Sequence, residues 1–238
     1  MLVREWMSPN VITIEPGASI GEAVELLDVH HISLLPVVQE GRLVGMLTNV
    51  DLKPFYSVSS PDRAAGFWGP LVASRIKVED VMSSAPITVP EDFTVEETAE
   101  VLLKNGVSGV VVVDGQNRLV GVLTQTDINH VLVSVTGLWR GGIVFGFMLE
   151  DSPGAIKGLT DIMRSYGGRL ASILSAYERA PKGFRRVHIR VRGLDRGKLS
   201  QLEQDLGQKA ALMYRIDQRE NTRVIYMEQE DVRNIAKK

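Results

Sequence analysis

Gly45-Met46-Leu47-Thr48-Asn49-Val50-Asp51 returns, slightly reworded, as Gly121-Val122-Leu123-Thr124-Gln125-Thr126-Asp127. A glycine opens each phrase, an apolar run of strand character follows, and an aspartate closes it three residues after a threonine. Thr favours the start of a helix, so each phrase predicts a strand-to-helix corner. Such a corner aims backbone N–H groups, a hydroxyl and a carboxylate at one point, which suits a phosphorylated, sugar-bearing ligand. The carboxylate would accept from ribose hydroxyls, while the helix N-terminus and the Thr hydroxyl would meet phosphate or ribose oxygens. The same residues would also serve as a plain N-cap and first-turn dipole partner. Recurrence in two matched copies favours the ligand.

Outward from the corners, the whole first half repeats at an offset of about 75 residues,. Val3, Met7, Ser8, Ile12 and Thr13 meet Val78, Met82, Ser83, Ile87 and Thr88, and after a one-residue insertion Arg42-Leu43-Val44-Gly45 meets Arg118-Leu119-Val120-Gly121. Ser19 with Glu22, and Thr94 with Glu97, have capping-box spacing, so a helix is expected to start at each. Ile20, Ala23, Val24 and Leu27 then fall on one helical face, matched more loosely by Val95, Ala99, Leu102 and Leu103. Strands are expected at 32–38 and 107–113, turns at Glu40-Gly41 and Asp114-Gly115, and return strands at 43–47 and 119–123. Each repeat thus reads as β-α-β-β-α. Pro36 removes a ladder donor inside the first strand and implies an edge or a bulge, whereas its counterpart Val111 carries no such restriction.

Composition narrows the function classes. The chain has 238 residues, 44% hydrophobic and 24% charged, with a net charge of -2 and a pI near 6.1. That balance gives no general attraction to nucleic acid or to an anionic membrane. With no cysteine, disulfides, thiolate catalysis and cysteine metal sites are excluded. The leading residues lack a signal-peptide layout and no apolar run reaches the ~18 residues of a membrane helix, so a cytoplasmic location is expected.

The two glycine-to-aspartate phrases, Ile32-Ser33-Leu34-Leu35-Pro36-Val37-Val38, Val107-Ser108-Gly109 with its valine run, and the Met-Ser openings at Met7 and Met82 together resemble a tandem CBS-domain pair, an adenosine-ligand-sensing module. The resemblance implies two clefts in which adenine lies against a strand and ribose is held by the motif aspartate. One site would use Thr13, Ile32, Ser33, Leu34, Thr48 and Asp51; the other would use Thr88, Val107, Ser108, Gly109, Thr124, Thr126 and Asp127. The expected domains are 1–56 and 78–136, joined by a linker at 57–77. The connector around that linker is turn-rich but carries Phe55, Tyr56, Phe67 and Trp68, which favours packing on the module or a partner chain over ligand stacking by Trp68.

Past a small hinge at Gly137 to Gly142, the pattern changes. Ile143 to Leu149 reads as a buried strand, and Asp151-Ser152-Pro153-Gly154 turns into an amphipathic helix with Ile156, Leu159, Ile162 and Met163. Strands at about 170–177 and 184–192, a helix near 195–207, a strand at 211–216 and another at 223–228 complete a β-α-β-β-α-β order, the ferredoxin-like arrangement. With Asp151, Pro153 and Gly154 in its first loop, the region 142–230 resembles an ACT domain, a dimerising and amino-acid-sensing module. The whole fold is therefore expected to be mixed α/β: a CBS pair followed by an ACT domain, the layout of the acetoin-utilisation protein B family.

Other constellations carry less. Arg186, His188, Arg190 and Arg192 alternate with Val187, Ile189 and Val191, a cationic row read as a solvated sheet face rather than an anion site. His30 and His31 point roughly 100° apart on a helix and cannot easily share a metal; a structural role is expected for both and for His130. No catalytic or metal-binding motif occurs. The expectation is a non-enzymatic regulatory sensor for AMP, ADP, ATP or another adenosine ligand, with Mg²⁺ arriving on the phosphates, an amino acid as a second signal, and a homodimer controlling an unknown protein. A structural adaptor with empty clefts that docks a partner is the alternative; a weak nucleotide hydrolase ranks below both. No metal site, nucleic-acid partner or membrane partner is expected.

Overall fold

The computed structural model describes residues 1–56 and 75–228, which leaves Phe67 and Trp68 of the connector outside the described residues, along with the side chains of Phe55 and Tyr56. The chain divides into two compact units, Met1–Asn129 and His130–Lys238. Among the described residues no helix is long and apolar enough to cross a membrane.

In the first unit the second repeat follows the whole expected β-α-β-β-α plan, and the first follows it from its helix onward. Helix α1 (Ile20–His30) starts at Ser19, whose hydroxyl accepts from Glu22 N while the Glu22 carboxylate accepts from Ser19 N. Two orphan donors are satisfied reciprocally. His31, at φ 51°, ends the helix in the left-handed region, which gives it a structural role. Strand β1 (Leu34–Gln39) turns through Glu40 and Gly41, both at positive φ, into antiparallel β2 (Arg42–Thr48), and α2 (Asn49–Tyr56) follows. The second repeat runs β3 (Thr88–Pro90), α3 (Val95–Asn105) capped by Thr94 and Glu97, β4 (Gly109–Val113), β5 (Leu119–Thr124) and α4 (Gln125–Val135).

The repeats differ where Pro36 led one to expect a difference. Strand β3 pairs in parallel with β4, and Val111 N donates to Ile87 O while Glu91 N donates to Val113 O, both at 3.1 Å. At the matching positions the first repeat has Pro36 and Pro16, which have no N–H to give. It keeps a single bridge, Ile14 to Val37. Pro36 does not cause the β-bulge: both hairpins shift register at the same place, between Val37 and Val38 and between Val112 and Val113.

The repeats exchange their leading arms. Val3 N donates to Phe93 O at 2.8 Å and Val3 is buried in the core of the second repeat with Val89, Leu102, Val110, Val112 and Leu123. Reciprocally, Val78 N donates to Ala18 O at 2.9 Å and Val78 sits in the core of the first repeat with Ile14, Ile20, Leu27, Leu35 and Leu47. Ser8 pairs both ways with Val122, and Ser83 pairs both ways with Met46. Between the repeats, Leu34, Met46, Val111 and Val113 form a shared apolar layer.

The second unit contains β6 (Ile143–Glu150), α5 (Ala155–Ser165), β7 (Arg169–Ala176), β8 (Phe184–Arg192), α6 (Leu199–Gly207), β9 (Ala211–Asp217) and β10 (Thr222–Ile225). The strands lie in the order β10-β9-β6-β8-β7, all antiparallel. Without β10 this is the β-α-β-β-α-β ferredoxin-like arrangement. Phe145, Phe147, Leu149, Val187, Ile189 and Val191 bury one sheet face against Leu159, Met163, Leu202 and Leu206 of the helices.

The opposite face departs from expectation, because it is not a solvated cationic row. Arg190 is only 7% exposed: its Nε donates to Thr136 O at 2.8 Å and its guanidinium also bonds Gln218. His188 is half-buried, with Nδ1 at 2.6 Å from the Tyr214 hydroxyl. The chain following α4 lies over this face, and Ser172 bonds the same Thr136 carbonyl at 2.8 Å.

Candidate functional site

Each corner phrase is closed by hydrogen bonds from its threonine to its aspartate. Thr48 N and Thr48 Oγ1 both donate to Asp51 Oδ2, at 2.8 and 2.6 Å. Thr124 N and Oγ1 donate to Asp127 Oδ2, each at 2.7 Å. The return bond of an N-cap forms in the second copy, where Asp127 N donates to Thr124 Oγ1 at 3.4 Å, and both aspartates are half-buried. Among the described residues Oδ1 of each accepts no hydrogen bond. A carboxylate pinned through one oxygen with the other unused is a preorganised acceptor.

The geometry also alters the chemistry expected of the threonines. A hydroxyl has one proton, and Thr48 and Thr124 spend theirs on the aspartates. They cannot donate to a phosphate at the same time, although their lone pairs remain to accept from a ribose hydroxyl. Phosphate would have to be met by first-turn amides such as Val50 N and Thr126 N, since Asn49 N, Gln125 N and Asp127 N already donate to Ser33 O, Ser108 O and Thr124 Oγ1,.

Several of the expected site residues converge on these corners. Leu34 is in register with Thr48, and Asn49 N donates to Ser33 O at 3.2 Å. Gly109 is in register with Thr124, Gln125 N donates to Ser108 O at 2.9 Å, and Gln125 Nε2 donates to Val107 O at 3.3 Å. Thr126 is exposed beside Asp127. Val107 reaches the corner through its carbonyl, whereas Ile32 N donates to Leu27 O, and both side chains pack on the cores of their own repeats. Leu34 is 4% exposed within the shared apolar layer, and a Cβ on Gly109 would come within 2.8 Å of Leu34 Cδ1. At both positions only the backbone is free to read a ligand.

Thr13 and Thr88 lie outside the two corner phrases. Both are exposed, and Thr88 is in register with Val111, two residues along β4 from Gly109. Thr88 instead lines a recess of about 530 Å³ with Gly41, Arg42, Leu43, Pro86, Gln116, Asn117 and Arg118. Sequence reasoning did not single out that recess. The paired Arg42 and Arg118 were visible as repeat equivalents, but nothing in the pattern showed that the hairpin tips meet. Arg118 is held by Asp114, at 2.7 Å through Nε, and hydrogen bonds from Arg118 keep the Asp114 carboxyl below its ordinary pKa.

In the loop before α5, Asp151 N donates to Gly183 O at 2.9 Å and the Asp151 carboxylate pairs with Arg185 Nε at 3.3 Å. Gly154, at φ 83°, occupies the N-cap position of α5 with no side-chain cap, and Pro153 beside it is exposed.

A family model described as CBS domain matches residues 3–56 and 78–134. A CBS domain-containing protein of Dictyostelium discoideum is 31% identical over 142 residues, 57% of this chain and 93% of its own length. Inosine-5'-monophosphate dehydrogenase of Methanocaldococcus jannaschii is 34% identical over 125 residues, 52% of this chain but only 22% of the enzyme, so the chain spans under a quarter of that relative. Among solved structures, the CBS domain pair of protein MJ0100, in complex with 5'-methylthioadenosine and S-adenosyl-L-methionine, is 32% identical and covers 56% of this chain and 99% of its own, at a TM-score of 0.46.

Proposed function

The chain belongs to the CBS-domain protein family, and on that footing we propose that it is a non-enzymatic regulatory sensor whose paired repeats bind an adenosine-type ligand. The observation that carries this reading is the twice-built Thr–Asp corner, with one carboxylate oxygen fixed and the other unused among the described residues. Asp51 and Asp127 would each accept from a ribose diol, and the backbone at 32–34 and 107–109 would read the adenine edge. Thr13, Thr88 and Thr126 are assigned to the ligand's outer parts, Thr48 and Thr124 to holding the aspartates. Mg²⁺ would travel with the phosphates of ADP or ATP. Regulation requires that the ligand prefer one arrangement of the repeats, since equal affinity for all would shift nothing.

We assign the C-terminal unit as an ACT-like module for dimerisation or amino-acid sensing, which would give the full chain the layout of an acetoin-utilisation protein B relative. Its support is the strand order and the uncapped α5 N-terminus behind Asp151, Pro153 and Gly154.

Thermal unfolding with AMP, ADP, ATP and S-adenosylmethionine tests the sensor. A ligand at 100 times its dissociation constant should stabilise by about 2.7 kcal/mol, and Asp51→Ala or Asp127→Ala should remove part of the gain. No response to any adenosine compound would transfer the assignment to an adaptor that docks a partner, and phosphate release from ATP would contradict the non-enzymatic reading.

A further inference from the structure

A recess of about 640 Å³ in the second unit is lined by Arg140, Arg169 and Arg192, with Ser134, Leu170 and Ala171 and two glycines, Gly167 and Gly193. That volume lies in the range of small-molecule sites. Arg169 opens β7 and Arg192 closes β8, and the two are directly in register, a like-charge pairing that works against the sheet. Among the described residues none of the three arginines takes part in an ion pair. Three other arginines of this unit are ion-paired: Arg185 with Asp151 at 3.3 Å, Arg196 with Asp217 at 3.0 Å and Arg215 with Glu203 at 2.6 Å. Gly167 and Gly193 lie at φ 80° and 73°, and a Cβ on either would reach 3.5 Å from the other's carbonyl oxygen. The wall beside Arg169 and Arg192, past the end of the two strands, is thus bare backbone, which lets a ligand approach closely,.

From this concentration of unpaired guanidinium groups on one small, glycine-walled recess, we propose a second ligand site, in the C-terminal unit, for a small phosphate-bearing anion. Planar guanidinium forks match phosphate oxygens two at a time, and a ligand with at least two negative charges would relieve the Arg169–Arg192 repulsion. The charges form a point cluster on a chain of net charge -2, which argues against an extended nucleic-acid track.

The test is calorimetric titration of the full chain with inorganic pyrophosphate at fixed ionic strength, without nucleotide, so that it reads independently of the CBS clefts. We expect saturable binding at one site per chain, weakened about tenfold or more in R169Q/R192Q and less in R169K/R192K, which keeps charge but loses the fork. If the double variant is not folded by circular dichroism, Arg140→Gln, outside the sheet, should show the same direction of loss. No saturable heat, affinity unchanged in these glutamine variants, citrate binding as tightly as pyrophosphate, or competition by a short DNA duplex in place of pyrophosphate binding would each overturn the proposal.

Discussion

At Gly45 and Gly121 a hydrogen stands where any other residue would drive a carbon into a methionine. A Cβ at Gly45 would overlap Met82 Sδ and come within 3.0 Å of Ser83 O; one at Gly121 would overlap Met7 Sδ and reach Ser8 O at 3.2 Å. The glycine that opens each phrase is therefore a crossing point for the opposite repeat's arm. Gly121→Ala is expected to cost about 1–3 kcal/mol in urea unfolding, and combining it with Met7→Ala should cost less than the sum of the two singles because they share one clash. A second residue effect concerns pH. Burial, assisted by the Arg186 charge, lowers the His188 pKa from its ordinary 6.5. The unfolded chain then binds the proton more readily, so stability is complete above pH ~6.5 and falls as pH drops towards the folded pKa. His188→Gln should flatten this decline below pH ~6.5 in thermal unfolding.

Elements were legible in the sequence to the degree that their causes were local. The caps at Ser19–Glu22 and Thr94–Glu97 are four-residue signals, and the structure places a helix start at each. Hairpin turns and the β-α-β-β-α-β order followed from apolar period and glycine position. Pro36 correctly announced an interrupted ladder, but the equal role of Pro16 emerges only when both repeats are compared bond by bond. Pro36→Val should create a donor to Ile12 O, as Val111 donates to Ile87 O. Its amide is expected to exchange more slowly than those of the neighbouring turn. The net stability change should stay within about 1 kcal/mol, since the new bond is offset by lost proline stiffness. The candidate site was legible in part: the Thr–Asp spacing was seen, whereas the use of the Thr proton on Asp depends on rotamers that no pattern records. Likewise, the burial of Arg190 arises from Thr136, distant in sequence.

For the whole molecule, the decisive feature is which segments touch rather than which resemble each other. Sliding the chain against itself assigns Val3 to the first repeat and Val78 to the second; packing reverses both. Repetition records common descent, while contact is decided by the reach of the arms, and the two need not agree. A fragment carrying the second repeat without residues 1–8 should lose the Val3 plug and the Ser8–Val122 pairing. It is expected to unfold or associate with a second fragment, and sedimentation analysis against the full chain would show either. The traded arms also bear on ancestry: a forebear with only one such repeat would have lacked a plug of its own and could have been completed only by lending its arm to a twin. Gene fusion would then have joined two halves that were already obliged to embrace.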